Sequence, residues 1–295
     1  MIVTVLLGAL AALVLLFVVQ LLRTAHARAQ LAPKLEGMGL GAAANFFDTL
    51  GIGSFAPTTA YVKLRKLVPD SFLPAILNTG YALPTATQAF VFINLVQVDP
   101  TLLIACIVAA VAGAVVGAPI VVKLPVRVVQ AIVGAALLIA SALYAMSNLD
   151  MMPAGGDALA LEGPLFYGAI GAHFVMGALM TFGIGLYAPS LILLSLFGLN
   201  PVAAFPIMMG ACAFLMPVSG LKFMKTERID LKLVLGMAIG GIPAVLLAAF
   251  VVKSLPLEAL RWGVVVVVLY AALLLLYSAA RPAKPAAPAA ANVTP

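Results

Sequence analysis

Charge is scarce in this sequence: only 9% of its 295 residues are Asp, Glu, Lys or Arg, against roughly 25% in a soluble domain. That shortage excludes a soluble globular enzyme. Positive charge occurs in no long block, and a net +6 spread over short loops excludes a nucleic-acid binder, which would need a concentrated basic face. Cysteine is nearly absent: Cys106 and Cys212 both fall in apolar runs, with no CxxC or Cys/His spacing for a metal or disulfide framework. They read as buried free thiols. HExxH, GxSxG and paired-carboxylate arrangements are missing, which argues against an intramembrane enzyme. Gly37-Met38-Gly39-Leu40-Gly41 has no preceding strand or following acidic partner, so it is no dinucleotide fingerprint. Nothing implies a cofactor or a metal.

What the chain has instead is apolar length: 64% of its residues are hydrophobic and its mean hydropathy is +1.20. A helical span needs about 20 apolar residues, and the stretches 1–22, 71–98, 101–122, 126–147, 201–221, 232–252 and 260–279 each supply one. The first has its positive charges after it (Arg23, Arg28, Lys34) and reads as an anchor helix with its N-terminus outside, not as a cleaved signal. Residues 281–295 are Ala/Pro-rich and read as a disordered cytoplasmic tail. Two stretches are different. Residues 164–198 run uncharged over 35 positions, roughly 52 Å of helix against a hydrocarbon core of about 30 Å. Residues 37–62 are interrupted by Gly51-Ile52-Gly53 and Pro57.

The positive-inside rule discriminates between two readings of these stretches. If each turns back on itself, 14 of the 16 basic residues share one face, leaving only Lys253 and Arg261 opposite; if each crosses once, the split is 7 to 9. The broken version is therefore expected, and it puts Asp99, Asp150, Asp157, Glu162 and Glu258 on the less basic face.

A repeat runs through the chain. Residues 47–64 align without a gap on 179–196, with seven identities: Thr49/Thr181, Gly51/Gly183, Ile52/Ile184, Gly53/Gly185, Ala56/Ala188, Pro57/Pro189 and Leu64/Leu196. Pro69 and Pro74 match Pro201 and Pro206 at the same offset of 132, and Val121-Val122-Lys123 then matches Val251-Val252-Lys253. The expected fold is an all-α polytopic membrane protein: an extra N-terminal helix (1–22), a first repeat (37–147), an extracytoplasmic linker (148–163) and a second, inverted repeat (164–279). Inverted repeats with Gly/Pro-broken helices in corresponding places point to a secondary transporter with a midplane site.

The breaks have chemistry to offer. Glycine permits unusual φ and close approach, and Pro57 and Pro189 stand where a second helical piece begins with no donor to waste. Pieces starting near Gly53 and Gly185 would turn free amides and positive dipole ends toward an anion, with Thr49, Ser54, Thr181 and Tyr187 as hydroxyl donors. Asp48 is the one carboxylate deep in an apolar segment and is a candidate for proton or cation coupling; its counterpart in the second repeat is Met180. His173 stands alone in the second uncharged stretch and is a second coupling candidate. Asn78, Thr79, Thr85, Thr87 and Gln88 decorate the helix around Pro84, either as a polar path or as interhelical glue.

The duplicated Gly-Ile-Gly-x-x-x-Pro element, the Asn/Thr-bearing helix after it, the basic loop and the Leu-Pro before each repeat's last helix resemble the TauE/SafE family of sulfite and organosulfonate exporters over about 37–279. Ser54-Phe55 and Leu186-Tyr187 stand where many of its members carry a longer glycine run. The resemblance implies a carrier in the bacterial inner membrane for small sulfur-containing anions such as sulfite, a sulfonate or thiosulfate, driven in some members by protons. It places Gly51, Gly53, Pro57, Gly183, Gly185 and Pro189 at the site and allows a homodimer. An anion channel would share the helix N-termini but would not saturate or trans-stimulate. A non-transporting membrane scaffold would use the breaks for packing alone.

Overall fold

Hydrocarbon offers backbone amides no partner, so a chain this apolar must satisfy its own hydrogen bonds within helices. The computed structural model describes residues 2–250 apart from 52, 122 and 152–155, together with scattered positions from 262 to 280. Among the described residues the only extended pairing is an isolated bridge between Ala158 and Leu199. Within the described part of residues 2–250 the α-helices are α1 (Ile2–Ala27), α2 (Leu35–Thr49), α3 (Phe55–Arg65), α4 (Leu73–Gly80), α5 (Ala82–Leu95), α6 (Pro100–Val121), α7 (Val126–Asn148), α8 (Gly163–Met180), α9 (Tyr187–Leu196), α10 (Pro201–Phe223) and α11 (Leu231–Phe250). Five of them (α1, α6, α8, α10 and α11) are long and apolar enough to cross a membrane.

The stretch expected as a single span over 71–98 is subdivided. A 3-10 turn at Asp70–Phe72 leads into α4, and α4 gives way to α5 at Tyr81. The cause is Pro84, which has no N–H for the carbonyl one turn back and so interrupts the ladder; Thr85 N–H resumes it on Tyr81 O at 2.9 Å. The N-terminal helix also runs further than expected, to Ala27. The loop carrying Lys253, Glu258 and Arg261, most of the last expected span and the 281–295 tail lie outside the described residues. What is described of that span packs on α7, where Ser141 Oγ donates to Val265 O.

Contacts among the loops sort the helix ends into two groups. At one end, Arg28 donates to Met224 O (2.8 Å) and Thr226 O (3.0 Å), Lys34 pairs with Asp230 at 2.5 Å, and Lys63 pairs with Asp70. Arg65, at the C-terminus of α3, pairs with Glu36 in the first turn of α2 at 2.9 Å, so the chain has reversed between them. At the other end, Asp99 N–H donates to Leu159 O, and Asn200 N–H to Ala158 O. The C-terminus of α9 therefore returns to the segment that starts α8. Val3 of α1 lines a cavity at this end together with Asn94, Asp99 and Leu159.

Two helix pairs hold the bundle. α2 packs on α11 through Gly37 against Leu233 and Gly236, Gly41 against Met237 and Met38 against Gly240, and α6 packs on α8 through Gly113 and Gly117 against Phe174 and Ala178, with Gly177 against Ala110. A Cβ on Gly37 would stand 2.9 Å from Leu233 O and one on Gly117 2.6 Å from Thr181 Oγ1. Such small-residue seams bring backbones together where lipid offers no hydrophobic drive for association. α6 and α11 start alike: Asp99 Oδ1 accepts from Leu102 N–H at 2.7 Å, and Asp230 Oδ1 from Leu233 N–H at 3.0 Å. Each carboxylate occupies one of the orphan donors at its own helix N-terminus.

Gly41→Leu and Gly177→Leu should each cost about 3 kcal/mol or more by overpacking against backbone. Gly39→Leu and Gly171→Leu, whose Cβ positions meet nothing within 4 Å, should leave the thermal unfolding midpoint in detergent within a few degrees of the parent.

Candidate functional site

Both breaks have the same local construction. α2 closes with Gly51 N–H donating to Asp48 O at 2.9 Å, and α8 closes with Gly183 N–H donating to Met180 O at 3.0 Å. These tightened last turns satisfy carbonyls that a helix end would otherwise orphan. The chain then needs positive φ: +87° at Gly51, +85° at Gly53 and +91° at Gly183, which a side chain rarely tolerates. Gly185 has no positive φ, and its role is room: a Cβ there would stand 3.6 Å from Phe55 Cβ. The second pieces begin at Phe55 and Tyr187, two residues later than Gly53 and Gly185. Pro57 and Pro189 therefore sit in the first turn, where the missing N–H costs nothing. The first bonds of those pieces are Thr58 N–H to Ser54 O (3.1 Å) and Ser190 N–H to Leu186 O (3.0 Å).

Each break also faces the other half. Gly51 lies against Phe205 near the start of α10, and Gly183 against Leu77 and Pro74 near the start of α4. Gly185 and Phe55 bring the N-termini of α9 and α3 together.

A buried polar stripe on α4 and α5 links the two. Asn78, Tyr81, Thr85 and Gln88, at helical spacing, are all buried. Asn78 Nδ2 donates to Pro74 O (2.9 Å) and to Met180 O (3.0 Å) at the end of α8. The Tyr81 hydroxyl and Thr58 Oγ1 of α3 are 2.5 Å apart. Gln88 Nε2 donates to Asp48 Oδ2 and to Thr49 Oγ1, each at 2.9 Å, while its Oε1 accepts from the Tyr187 hydroxyl at 2.6 Å. Ser54 presents its hydroxyl and amide to the same Asp48 carboxylate. No cation pairs with Asp48 among the described residues. Thr87 turns away and bonds Leu83 O.

The hydroxyls expected to bind an anion are differently employed. Thr49 donates to Asn45 O (2.7 Å) and Thr181 to Ala178 O (2.7 Å), back-bonds of the kind hydroxyls form in helices. Their protons are spent locally, and no side-chain cap covers the start of α3 or of α9. His173 has both ring nitrogens engaged, Nδ1 at 2.8 Å from Ala169 O and Nε2 at 3.0 Å from Ser190 Oγ, and so ties α8 to α9. Asn45 Oδ1, Thr59 Oγ1, Asn78 Oδ1 and Thr79 Oγ1 are buried without a partner, spare polar capacity that a dry packing core does not carry. Cys106 and Cys212 are buried free thiols, and Cys212 lies 3.4 Å from Met180 Sδ. The structure thus brings together Asp48, Thr49, Ser54 and Tyr187 around Gln88, and Asn78 onto Met180 at the end of α8, whereas His173 belongs to a separate contact. In the sequence Gln88 is one polar position among five around Pro84, and Tyr81, Thr58 and Ser190 carry no mark of their own. The i, i+3, i+7, i+10 spacing of 78, 81, 85 and 88 was the signal that could have found the stripe.

Residues 165–294 match the family described as Sulfite exporter TauE/SafE, a likeness that agrees with the multi-pass membrane protein indicated by the five long apolar helices. No curated protein and no solved structure matches the chain.

Gly183→Ala should lower stability by about 1–2 kcal/mol, the cost of a left-handed conformation for an L-residue. Gly185→Ala should be close to neutral, since its Cβ meets only an ordinary contact. Thermal unfolding of both variants side by side checks the contrast.

Proposed function

We propose that this chain, with its TauE/SafE likeness, is a secondary carrier of small sulfur-containing anions such as sulfite, a sulfonate or thiosulfate, and not an enzyme. One observation carries the reading: the N-termini of α3 and α9, one from each broken segment, meet at Phe55 and Gly185. Helix N-termini offer unpaired amides and positive dipole ends, which favour an anion. Residues Gly51–Ser54 and Gly183–Tyr187 frame the anion there, with Asn78 behind the second break.

The halves are inverted repeats, 37–147 and 164–279, related about an axis in the membrane plane. Support comes from the two reversals, which start at opposite ends of the bundle, from the pairing of α2 with α11 and of α8 with α6, and from the matched caps Asp99 and Asp230. Alternating access is a rocking of the two halves about the site. The basic end faces the cytoplasm of a bacterial inner membrane, which puts the N-terminus outside and the tail inside. Of the two coupling candidates, Asp48 is favoured. It is buried at the break with no cation beside it, whereas both nitrogens of His173 are committed to packing partners.

Purified protein in proteoliposomes should carry labelled sulfite saturably, faster with a pH gradient than without. Asp48→Asn should remove the response to the gradient, and Gly185→Leu should cut flux at least tenfold while the protein still inserts and purifies. No flux of any sulfur anion from folded protein would reduce the family likeness to fold alone and favour a scaffold. Flux that neither saturates nor trans-stimulates would make it a channel.

A further inference from the structure

Gln88 is fully buried and spends every polar group it has. Its Nε2 donates two hydrogen bonds, to Asp48 Oδ2 and Thr49 Oγ1, and an amide nitrogen has only two protons to give. Its Oε1 accepts from Tyr187. The orientation of the carboxamide is therefore dictated from both sides: it presents nitrogen to the first break and oxygen to the second. Tyr187 is the first residue of α9, and Asp48 lies in the last turn of α2. One carboxamide thus spans the carboxylate of one break and the helix start of the other.

We propose that Gln88 is a positioning residue that relays the protonation state of Asp48 to the N-terminus of α9, and so couples the proton to the anion site. This rests on the carrier reading given above. With Asp48 ionised, Oδ2 accepts from Nε2 and the Tyr187 hydroxyl is held by Oε1. When a proton from water binds Oδ2, that oxygen becomes a donor and no longer suits an amide N–H. The carboxamide then turns over: Oε1 accepts from Asp48, Nε2 faces Tyr187, and Thr49 Oγ1 loses the bond it accepted. The Tyr187 hydroxyl can no longer donate to Gln88 and must accept or swing away, which displaces the start of α9 beside Gly185. Thr85, which also faces the Tyr187 hydroxyl, stands ready to take the released bond. A buried network whose donors and acceptors are all matched has few arrangements, so one proton changes several bonds together.

The groups around Asp48 leave the proton no other charged partner. Gln88 faces it from α5 and Ser54 from the break. The further titratable groups near it are the phenols of Tyr81 and Tyr187 and the thiol of Cys212 on α10. No cation and no second carboxylate contributes among the described residues.

The test compares two readouts in the same proteoliposomes: sulfite exchange at equal pH, which needs the site alone, and steady-state accumulation under a pH gradient, which needs coupling. For Gln88→Leu, exchange should fall less than tenfold, while accumulation drops to the level reached without a gradient and flux becomes flat with pH. Gln88→Glu is isosteric and places a second carboxyl on Asp48; it should move the midpoint of the flux–pH profile by more than one unit to higher pH. Wild-type accumulation and an unshifted profile in the two variants would overturn the relay while leaving the carrier reading intact. Parallel loss of exchange and accumulation in Gln88→Leu would also overturn it, by making Gln88 merely structural. Should Gln88→Leu not purify as folded protein, the profile of Gln88→Glu decides alone. Failure of the carrier reading itself shows separately, as absence of exchange in the parent protein.

Discussion

The centre of the described structure follows from the cost of ending a helix among buried side chains. Two helices stop there, at Thr49 and Met180, and each stop frees carbonyls and amides that cost several kcal/mol apiece when left unpaired. The carbonyls are closed off locally, by the tightened turns at Gly51 and Gly183, and at Met180 also by Asn78. The amides at the starts of α3 and α9 are not closed by any side-chain cap, since neither Ser54 nor Leu186 supplies one. Uncapped amides at a helix start are donors, the sign that an anion needs.

The rest of the bundle holds these two stops against each other. The glycine seams between α2 and α11 and between α6 and α8 join each broken helix to a long unbroken one, whose own start is fixed by an aspartate cap. The broken helices are thus anchored along their length, while their free ends meet across Phe55 and Gly185. α4 and α5 run past both stops and contribute the stripe from Asn78 to Gln88, the only polar ladder that reaches both breaks among the described residues. The arrangement combines rigid packing outside with replaceable hydrogen bonds inside, the combination that a rocking carrier requires.

Much of this was legible in the residues. The scarcity of charge and the apolar run lengths are enough for an all-α membrane protein, because no other spanning structure fits such a composition. The Thr-x-Gly-Ile-Gly-x-x-Ala-Pro recurrence marked the positions where α2 and α8 stop. What the sequence hid depended on partners far away in the chain. The hydroxyls of Thr49 and Thr181 read as ligands but are spent on carbonyls one turn back, a choice of rotamer that composition does not record. His173 read as a coupling group, but Ser190 and Ala169 occupy it. Gln88 reads equally as part of a polar path or as interhelical glue, because its meaning lies in Asp48 and Tyr187, 40 and 99 residues away. The kink at Tyr81 was visible as Pro84, yet a proline inside an apolar run does not reveal whether the helix bends or ends.

The central claim is that one anion binds where the two helix starts converge. Crystals soaked in selenite, a heavier oxyanion of the same shape and charge as sulfite, would locate it by anomalous scattering. The account predicts a single peak within about 4 Å of backbone amides from both the Phe55 and the Tyr187 helix starts, at hydrogen-bonding range to heavy donors. A peak confined to the basic loops around Lys34, Lys63 and Lys222, with none between the breaks, would contradict it.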